Sequence, residues 1–566
     1  MTETGSSGRR HTRCEAAASR ILKAAKALAV LNGEAAQSCV DHTRPPRASP
    51  SFSAKMPFDG VPRGRGICAA QRTLLRCDAM PDPLEPARSR KVIHNAARLV
   101  GWDEPAQSHR YRRDVDLAIE GDTIAAIGPA GPADHGDVIE IDGRGFAILP
   151  GFVDIHSHPS SEPMLKGLTD EVGSHQLYMS SLYEYLPLFD GDAEGRRAAT
   201  EVALCELMQS GVTTLCDLSA AREDWLDTLG TSGLRVYAMP MFRSGRWSTP
   251  NGHEVRYAWD EKAGRDGLDR ALRLIDRARQ HPSGRLDGAL YPAQVDTCTE
   301  ELLRDSATAA RERRLPLQIH AAQSVVEFQE IMRRHGRTPI GWLRQIGVLG
   351  DNAIIGHAIF LDHHSWLHWP TRNDLADLAD TGTTVAHCPT VFSRRGILLE
   401  DFGRYRAAGI NLGIGTDTFP HNFVEELRTA AVLARIAAGN THAVTAADIF
   451  TAATIGGARA LGRDDLGRIT PGAKADFVMV DIAHPAMQPL YDPVRSMVYA
   501  AGERAVRHVF VGGQQVVRDG KALAFDYADA SARLAMAQRR AIEKVPRLDW
   551  AGRSAAEIMP PTFRSE

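Results

Sequence analysis

The chain has 566 residues, of which 43% are hydrophobic and 24% are charged, so it can bury a large core as one large or two linked domains. Its formal net charge of −3 gives no positive field, which argues against nucleic acid or an anionic membrane as a partner. The sequence contains neither a run of about 18 apolar residues nor a clear signal peptide. We therefore expect a cytoplasmic protein whose partner is a small molecule.

The N-terminal residues 1–88 mix Arg, Ser, Pro and Ala without sustained periodicity. Such a composition buries too little apolar surface to fold, so we predict disorder or an over-extended start of the chain. A basic, Arg-rich targeting arm is the functional alternative for this segment.

Two strand-rich segments flank the middle of the chain. Residues 89–149 contain alternating hydrophobic residues separated by Gly-Asp and Asp-Gly turns, and the same pattern of short hydrophobic runs occurs at residues 468–525. We predict that these two segments come together as one small β-sandwich domain. Residues 526–566 are predicted to form a C-terminal helix and tail.

Residues 150–467 alternate short, buried-type strands with longer helical segments. Eight strand-like runs occur in series, beginning with FVDIHSH and ending with INLGIGTD. Strand-helix units repeated in this way predict an α/β fold whose catalytic domain is a (β/α)8 TIM barrel. In such a barrel the chemistry lies at the C-terminal ends of the strands, where the polar residues of this segment fall.

Histidines and an aspartate stand at the ends of the predicted strands. His156 and His158 are two residues apart, so both side chains point to the same face of one strand and can share a cation. Residues able to bind metal or to move protons also end the fifth to eighth strands: His320, His357, His387 and Asp417. Chance alone seldom ends four consecutive strands in this way, so we predict a metal-dependent active site.

These motifs together resemble the amidohydrolase superfamily, in the cytosine deaminase-like branch that includes triazine hydrolases, guanine deaminase and S-adenosylhomocysteine deaminase. The resemblance covers roughly residues 91–520 and is specific as a set. The matching segments, besides the strand that ends at His320, are LPGFVDIHSH (149–158), KGL (166–168), GVTT (211–214), GHAIFLD (356–362), AHCPT (386–390), GIGTDTFPHN (413–422) and GRITPGAKADFVMVD (467–481).

The resemblance implies one divalent metal ion, zinc or alternatively iron(II), with water in an open position. The implied ligands are His156, His158, His320 and Asp417. A cation held by three neutral imidazoles and one carboxylate lowers the pKa of its bound water towards about 7 and so supplies hydroxide. Asp417 would also accept and pass on a proton, and His357 would bind the developing oxyanion or orient the water.

The sequence departs from this branch just after His320. Deaminases of the branch usually carry His-x-x-Glu, whereas this chain has Gln323, whose amide cannot carry a proton near neutral pH. We predict that Gln323 orients the substrate and that Glu162 replaces the acid; the alternative is that Glu162 faces solvent or the base of its loop. His387 and His421 are further candidates for substrate contacts, although His387 could instead anchor its loop.

Three functions remain open. The missing acid favours hydrolysis of an already polarised amide, urea, carbamate or lactam, so our first prediction is a hydrolase of such non-peptide C–N bonds. The alternative is an aminohydrolase (deaminase) or chlorohydrolase of an aminated heterocycle such as a triazine, purine or pyrimidine. The third is an inactive scaffold homologue, against which the complete ligand set argues. The resemblance also allows a homo-oligomer, although no sequence feature marks an interface.

Overall fold

The computed structural model describes residues 90–129 and 138–563. The segment 1–88, for which we predicted disorder or an over-extended start, lies outside the described residues. The described fold is mixed α/β, as predicted, with parallel strands in the middle of the chain and antiparallel strands towards both ends. Within these two ranges, no helix is both long and apolar enough to cross a membrane.

The strands are numbered in chain order through the described residues. They are β1 (Arg90–Ala96), β2 (Arg98–Asp103), β3 (Ser108–Arg112), β4 (Val115–Glu120), β5 (Thr123–Ile127), β6 (Val138–Asp142), β7 (Phe146–Pro150), β8 (Phe152–Ser157), β9 (Val212–Ser219), β10 (Arg235–Phe242), β11 (Gly245–Ser248), β12 (Arg256–Trp259), β13 (Leu286–Gly288), β14 (Tyr291–Pro292), β15 (Leu317–Ala321), β16 (Ala353–His357), β17 (Thr384–His387), β18 (Leu412–Ile414), β19 (Phe477–Asp481), β20 (Val506–Val511), β21 (Gln514–Arg518) and β22 (Lys521–Ala522).

The helices are numbered in the same way. They are α1 (Ala193–Gln209), α2 (Trp225–Ser232), α3 (Glu261–Arg279), α4 (Glu300–Arg313), α5 (Val325–His335), α6 (Pro339–Gln345), α7 (Asp374–Thr381), α8 (Pro389–Ser393), α9 (Phe402–Ala407), α10 (Phe423–Ala438), α11 (Ala446–Thr451), α12 (Gly457–Ala460), α13 (Pro493–Tyr499), α14 (Tyr527–Leu548) and α15 (Ala555–Ile558). Short 3-10 helices cover Glu162–Leu165, His175–Leu177, Leu186–Phe189, Pro485–Met487 and Glu503–Ala505, and a π-helix covers Ala452–Gly456.

The central strands pair in parallel. Strands β8, β9, β10, β13 and β14 form one sheet, and β15 to β18 form a second. Isolated parallel bridges link the edges of these sheets, from Leu290 to Leu317 and from Ser157 to Asp417. Because these pairings are parallel, the carboxyl ends of the strands meet on one side, where the predicted histidines and Asp417 lie.

Two of the helices between the strands begin at residues whose side chains cap the helix N-terminus. The side chain of Asp192 accepts a hydrogen bond from the Gly195 amide and begins α1, and Asn422 begins α10 by accepting from the Glu425 amide. On α4, Leu302 enters the same large apolar cluster as residues of the central strands. The helices therefore cover the parallel strands with their apolar faces.

Strands from the two ends of the chain share a sheet. Strands β2, β3 and β7 join β19 to β22 in a seven-stranded sheet, in which β7 pairs with β19 and Ile148 lies opposite Met479. Strands β1, β4, β5 and β6 form a separate four-stranded sheet, and Ile93, Leu117 and Phe477 belong to one apolar cluster. The two terminal segments thus pair in one sheet, while the sandwich arrangement and the domain boundaries stay predictions.

A buried ion pair connects the parallel and antiparallel parts. Arg235, the first residue of β10, donates to Asp476 through Nε at 3.1 Å and through Nη2 at 3.2 Å. Asp476 directly precedes β19, and its Oδ1 also accepts the backbone amide of Gly512 at 2.6 Å. With both side chains buried, this pair ties the strand that leads to the site to the seven-stranded sheet.

Candidate metal centre and active-site pocket

Four predicted ligands converge at the carboxyl ends of the central strands: His156, His158, His320 and Asp417. Nε2 of His320 lies 3.1 Å from Nε2 of His156 and 3.3 Å from Nε2 of His158. Oδ1 of Asp417 lies 3.2 Å from Nε2 of His156 and 3.1 Å from Nε2 of His158. The structure therefore brings the whole predicted ligand set together.

Backbone carbonyls fix the orientation of two of these rings. Nδ1 of His158 lies 2.8 Å from the carbonyl oxygen of Leu218, and Nδ1 of His320 lies 2.8 Å from that of Ala293. Since a carbonyl can only accept, each Nδ1 carries a proton and the Nε2 of each ring faces the cluster. This is the arrangement that metal-bound histidines show.

The cluster fits a divalent ion in size and in donor type. Ligands at about 2.0–2.1 Å from a tetrahedral zinc are about 3.3–3.4 Å apart, close to the spacings found here. Burial opposes protonation of His158, but the hydrogen bond and charge of Asp417 outweigh burial and raise the pKa of His158 to about 9. A proton on His158 is therefore the competitor that a metal ion would displace.

Asp417 is an ionised carboxylate in a constrained backbone position. Burial acts to raise its pKa, but the surrounding histidines outweigh burial and hold the pKa of Asp417 well below its usual range. Its φ of 57° lies in the left-handed region, and its amide donates to the carbonyl of His156 at 2.8 Å. The backbone bond to the neighbouring strand thus aims the carboxylate at the cluster.

His357, the last residue of β16, lies beside the ligand set. Its Nε2 is 3.9 Å from Oδ2 of Asp417, and its ring centroid is 4.6 Å from that of His156. Burial lowers the pKa of His357 well below its usual value, so the imidazole is neutral at physiological pH. Within the described ranges its Nδ1 has no hydrogen-bond partner. His357 is therefore placed to act on a reacting group next to Asp417.

A cavity of about 310 Å³ opens onto this cluster. Its wall contains apolar and aromatic side chains from three strands and one helix: Leu218 of β9, Trp247 of β11, Tyr291 of β14, and Val391 and Phe392 of α8. Apolar walls together with convergent polar groups are typical of a pocket for a small organic substrate. Two arginines, Arg243 and Arg395, also line this cavity.

Glu162 lines the cavity and does not project into solvent as the exposed alternative required. It begins the 3-10 helix that follows the metal pair, and its Oε2 accepts the hydroxyl of Thr418 at 2.7 Å. Burial, followed by the charge of Asp417, raises the pKa of Glu162 above its usual value. Glu162 is the pocket carboxyl most able to hold a proton near neutral pH.

Gln323 lines the same cavity and is nearly fully buried. Its Nε2 has no partner among the described residues, and neither has Oε1 of Gln294, another lining residue. A buried donor and a buried acceptor without partners are costly unless a ligand or water binds them. Both side chains are thus available to orient a substrate.

The structure places neither His387 nor His421 on this cavity. The ring of His387 packs near that of Phe402, the first residue of α9, with ring centroids 5.6 Å apart. The amide of His421 donates to Oε2 of Glu206 at 3.1 Å, because the chain after Asp417 turns back onto α1. Burial lowers the pKa of each imidazole to about 4. Their contact with the substrate therefore stays a prediction without support from this geometry.

One supporting residue was not singled out from the sequence. Asp154, buried between the metal-binding strands, accepts the hydroxyl of Thr416 at 2.7 Å and the amide of His156 at 3.1 Å. These bonds connect β8 to the segment that precedes Asp417. The sequence feature that could have identified Asp154 is its position in FVDIHSH, two residues before His156 and on the same face of the strand.

Comparisons with known proteins agree with this site. The chain matches the amidohydrolase family over residues 147–516. It is 30% identical over 433 residues to the 5-methylthioadenosine/S-adenosylhomocysteine deaminase of Halobacterium salinarum, covering 75% of this chain and 93% of that protein. It is 27% identical over 433 residues to the 5'-deoxyadenosine deaminase of Methanothermobacter thermautotrophicus, covering 76% of this chain and 95% of that protein.

Solved structures show the same fold at lower identity. A zinc-bound adenosine deaminase from Xanthomonas campestris matches with a TM-score of 0.65 and 23% identity, covering 81% of this chain and 99% of that one. The atrazine chlorohydrolase of Arthrobacter aurescens, complexed with zinc, matches with a TM-score of 0.67 and 22% identity, covering 79% and 100%. The chain therefore belongs to the amidohydrolase family and is a hydrolase that acts on carbon–nitrogen bonds other than peptide bonds.

Proposed function

We propose that this protein is a metal-dependent aminohydrolase that releases ammonia from an aminated heterocycle, the alternative kept open by the sequence. The observation that carries the proposal is Glu162, a protonatable carboxyl in the cavity that contains the ligand set. Our preference for amide-type substrates rested on the lack of such an acid after His320. The similar proteins that are named as deaminases also support deamination over hydrolysis of an amide-type substrate. The inactive scaffold has no support in this complete ligand set.

One divalent ion would be held by His156, His158, His320 and Asp417. We favour zinc, with iron(II) as the alternative, because three imidazoles and one carboxylate suit either ion. When bound there, the ion supplies Lewis acidity and lowers the pKa of water towards about 7. The spacings of 3.1 to 3.3 Å between donor atoms support this assignment.

Asp417 and His357 would handle the water and the leaving group. Asp417, which is ionised, accepts a proton from the attacking water and later donates it to the departing amino group, which leaves as ammonia. His357 is neutral and stabilises the oxygen on which charge develops, or orients the water, from the adjacent strand end.

Glu162 would donate and recover the proton, the role that the glutamate of the His-x-x-Glu motif usually has in deaminases of this branch. A carboxyl with a raised pKa is protonated more often near neutral pH and can donate to a ring nitrogen, which makes the adjacent carbon electrophilic. When the C–N bond breaks and the carbonyl forms, the hydroxyl proton returns to Glu162. Gln323 orients the heterocycle through its free amide donor.

A second candidate function is hydrolysis of an amide, urea, carbamate or lactam. It is favoured by Gln323, because an amide N–H can bind a carbonyl oxygen but cannot protonate a ring nitrogen. A release assay separates the two functions, using zinc-loaded protein with aminated purines, pyrimidines and triazines and with amides, ureas and lactams. We expect ammonia from a heterocycle; amine release from acyl substrates alone would contradict the proposal.

We also propose the architecture that the sequence predicts. The eight parallel strand positions would close as a (β/α)8 barrel over residues 150–467, supported by the bridges at the sheet edges. The composite β-sandwich would comprise residues 89–149 and 468–525, supported by the shared seven-stranded sheet, and residues 526–566 would follow as a C-terminal helix and tail. A cytoplasmic location, a small-molecule partner without nucleic acid or membrane, and a homo-oligomeric state stay predictions.

A further inference from the structure

The 3-10 helix that carries Glu162 is bound by the C-terminal helix of the chain. This short helix covers Glu162–Leu165, and Lys166 follows it directly. Gln538, in the middle of α14, donates from Nε2 to the carbonyl oxygen of Met164 at 2.8 Å and to that of Lys166 at 3.0 Å. One side-chain amide thus binds two carbonyls at the end of the helix on which the proposed acid lies.

The Met164 carbonyl lacks the backbone partner that a longer helix would give it. If the 3-10 helix continued, the amide of Gly167 would bind the carbonyl of Met164, three residues earlier. The Gly167 amide donates instead to Oδ2 of Asp170 at 2.9 Å, so the helix ends. Carbonyls at a helix end are costly to leave unpaired, and side chains or water usually bind them. Gln538 is the side chain that binds here.

Gln538 lies on the face of α14 that packs against the protein. The buried residues of this face recur at intervals of three or four: Leu534, Ala537, Ala541 and Val545. Gln538 is half-buried and stands four residues after Leu534, and Met164 belongs to the same apolar cluster as Leu534. A glutamine among such contacts usually has a specific hydrogen-bond partner, which the two carbonyls provide.

Ion pairs hold α14 against α1 independently of Gln538. Arg540 donates to Asp192, the residue that caps α1, through Nε at 2.9 Å and through Nη2 at 3.1 Å. Arg533 forms a second ion pair, with Glu201 of α1. We therefore expect α14 to stay docked when the side chain of Gln538 is changed, so that the change acts mainly on the 3-10 helix.

The position of Glu162 in the cavity depends on both ends of its helix. The backbone amide of Glu162 donates to the carbonyl of His158 at 3.2 Å, and its Oε2 accepts the hydroxyl of Thr418 at 2.7 Å. These bonds fix the start of the helix, while Gln538 binds its end. Because the helix has only four residues, a displacement of its end is transmitted to the Glu162 carboxyl.

We propose that Gln538 is a positioning residue, which holds the 3-10 helix so that the carboxyl of Glu162 stays within reach of the substrate. Gln538 itself does not line the cavity. A displacement of about 1 Å in a reacting group can lower a rate by about 10²-fold, so a residue outside the cavity can still affect turnover. This inference rests on the proposed function in taking Glu162 as the acid that transfers the proton.

Hydrogen–deuterium exchange of the zinc-loaded full-length protein tests the geometry without a substrate. Gln538→Leu removes the donor, and we expect the amides of residues 162–168 to exchange about tenfold faster or more than in the wild type. Gln538→Lys, which restores N–H donors on a long stem, should bring exchange back towards the wild-type rate. The control is Arg539→Leu, at the next and exposed residue of α14, which should leave exchange unchanged. Equal exchange in the wild type and in Gln538→Leu would overturn the inference.

Turnover tests whether Gln538 acts through Glu162. With adenosine as the probe, Gln538→Leu should lower kcat by about 10- to 100-fold and change KM by less than about twofold, with zinc content unchanged. In a Glu162→Gln background the same change should lower kcat by less than about twofold, because the acid that it positions is already absent. No loss of kcat in Gln538→Leu, a loss of equal size in both backgrounds, or a loss confined to KM would overturn the inference.

Failure of the proposed function would have a different signature. Wild-type protein that released ammonia from neither adenosine nor any other heterocycle would contradict the aminohydrolase. The exchange experiment would then still decide whether Gln538 holds the helix of Glu162, since it needs no turnover.

Discussion

Nε2 of His158 lies 3.3 Å from Nε2 of His320, and a backbone carbonyl binds the opposite nitrogen of each ring. Two lone pairs at that distance repel each other unless a cation or a proton lies between them. The carbonyls of Leu218 and Ala293 therefore prepare both rings as metal ligands before any ion arrives.

Glu162→Gln is expected to lower deamination by about 10²- to 10⁴-fold, because an amide cannot donate and recover the proton. Bound zinc should stay unchanged, since Glu162 is not one of the four ligands. Adding Gln323→Glu to this variant should restore part of the rate. Turnover and metal content are measured together, with Glu171→Gln, an exposed glutamate, as the control. An unaffected rate in Glu162→Gln would contradict the assignment.

His421 should make the protein sensitive to acid. Burial lowers the pKa of His421 to about 4 from its usual value of 6.5, so the unfolded chain binds the proton first as the pH falls. The free energy of unfolding is then unaffected above about pH 6.5 and declines between pH 6.5 and 4, by about 3 kcal/mol for this group.

Denaturant unfolding of zinc-free protein at several pH values checks the contribution of His421. His421→Leu should show a shallower decline below pH 6.5, and it removes two ring nitrogens that have no partner among the described residues. His442→Leu, at an exposed histidine, should follow the wild-type curve. Parallel curves for wild type and His421→Leu would contradict the role of His421.

The ion pair of Arg235 with Asp476 should contribute strongly to stability. Asp476→Ala leaves a buried guanidinium without its partner, a change expected to cost about 3–5 kcal/mol in the free energy of unfolding. The control is Asp519→Ala, which breaks the exposed pair with Arg507 and should cost less than about 1 kcal/mol. Urea unfolding of both variants gives the comparison, and similar losses would contradict a special role for the buried pair.

The ligand set could be predicted because it depends on strand geometry. Residues two apart on a strand share a face, which places His156 beside His158, and parallel strands end on the same side, which brings in His320 and Asp417. Glu162 could be named because few carboxyl groups follow the metal pair directly. Local periodicity and topology were sufficient for these residues.

Other parts of the site depend on features that the sequence does not encode locally. The carbonyls of Leu218 and Ala293 are backbone groups, so no residue type signals them. Arg395 reaches the cavity from a loop whose course is set by packing, and it belongs to no motif. His421 follows a ligand by four residues, yet its backbone amide binds Glu206 of α1, a contact that spacing alone does not predict.

The most direct test of the account is elemental analysis coupled to ammonia release, on protein purified without chelators and on its Asp417→Ala variant. We expect about one zinc per chain in the wild type, ammonia from an aminated heterocycle, and loss of both in the variant, since Asp417 is both ligand and proton carrier. Ammonia release that persists in metal-depleted protein, or zinc-loaded protein that releases ammonia from none of the heterocycles, would contradict a metal-dependent aminohydrolase.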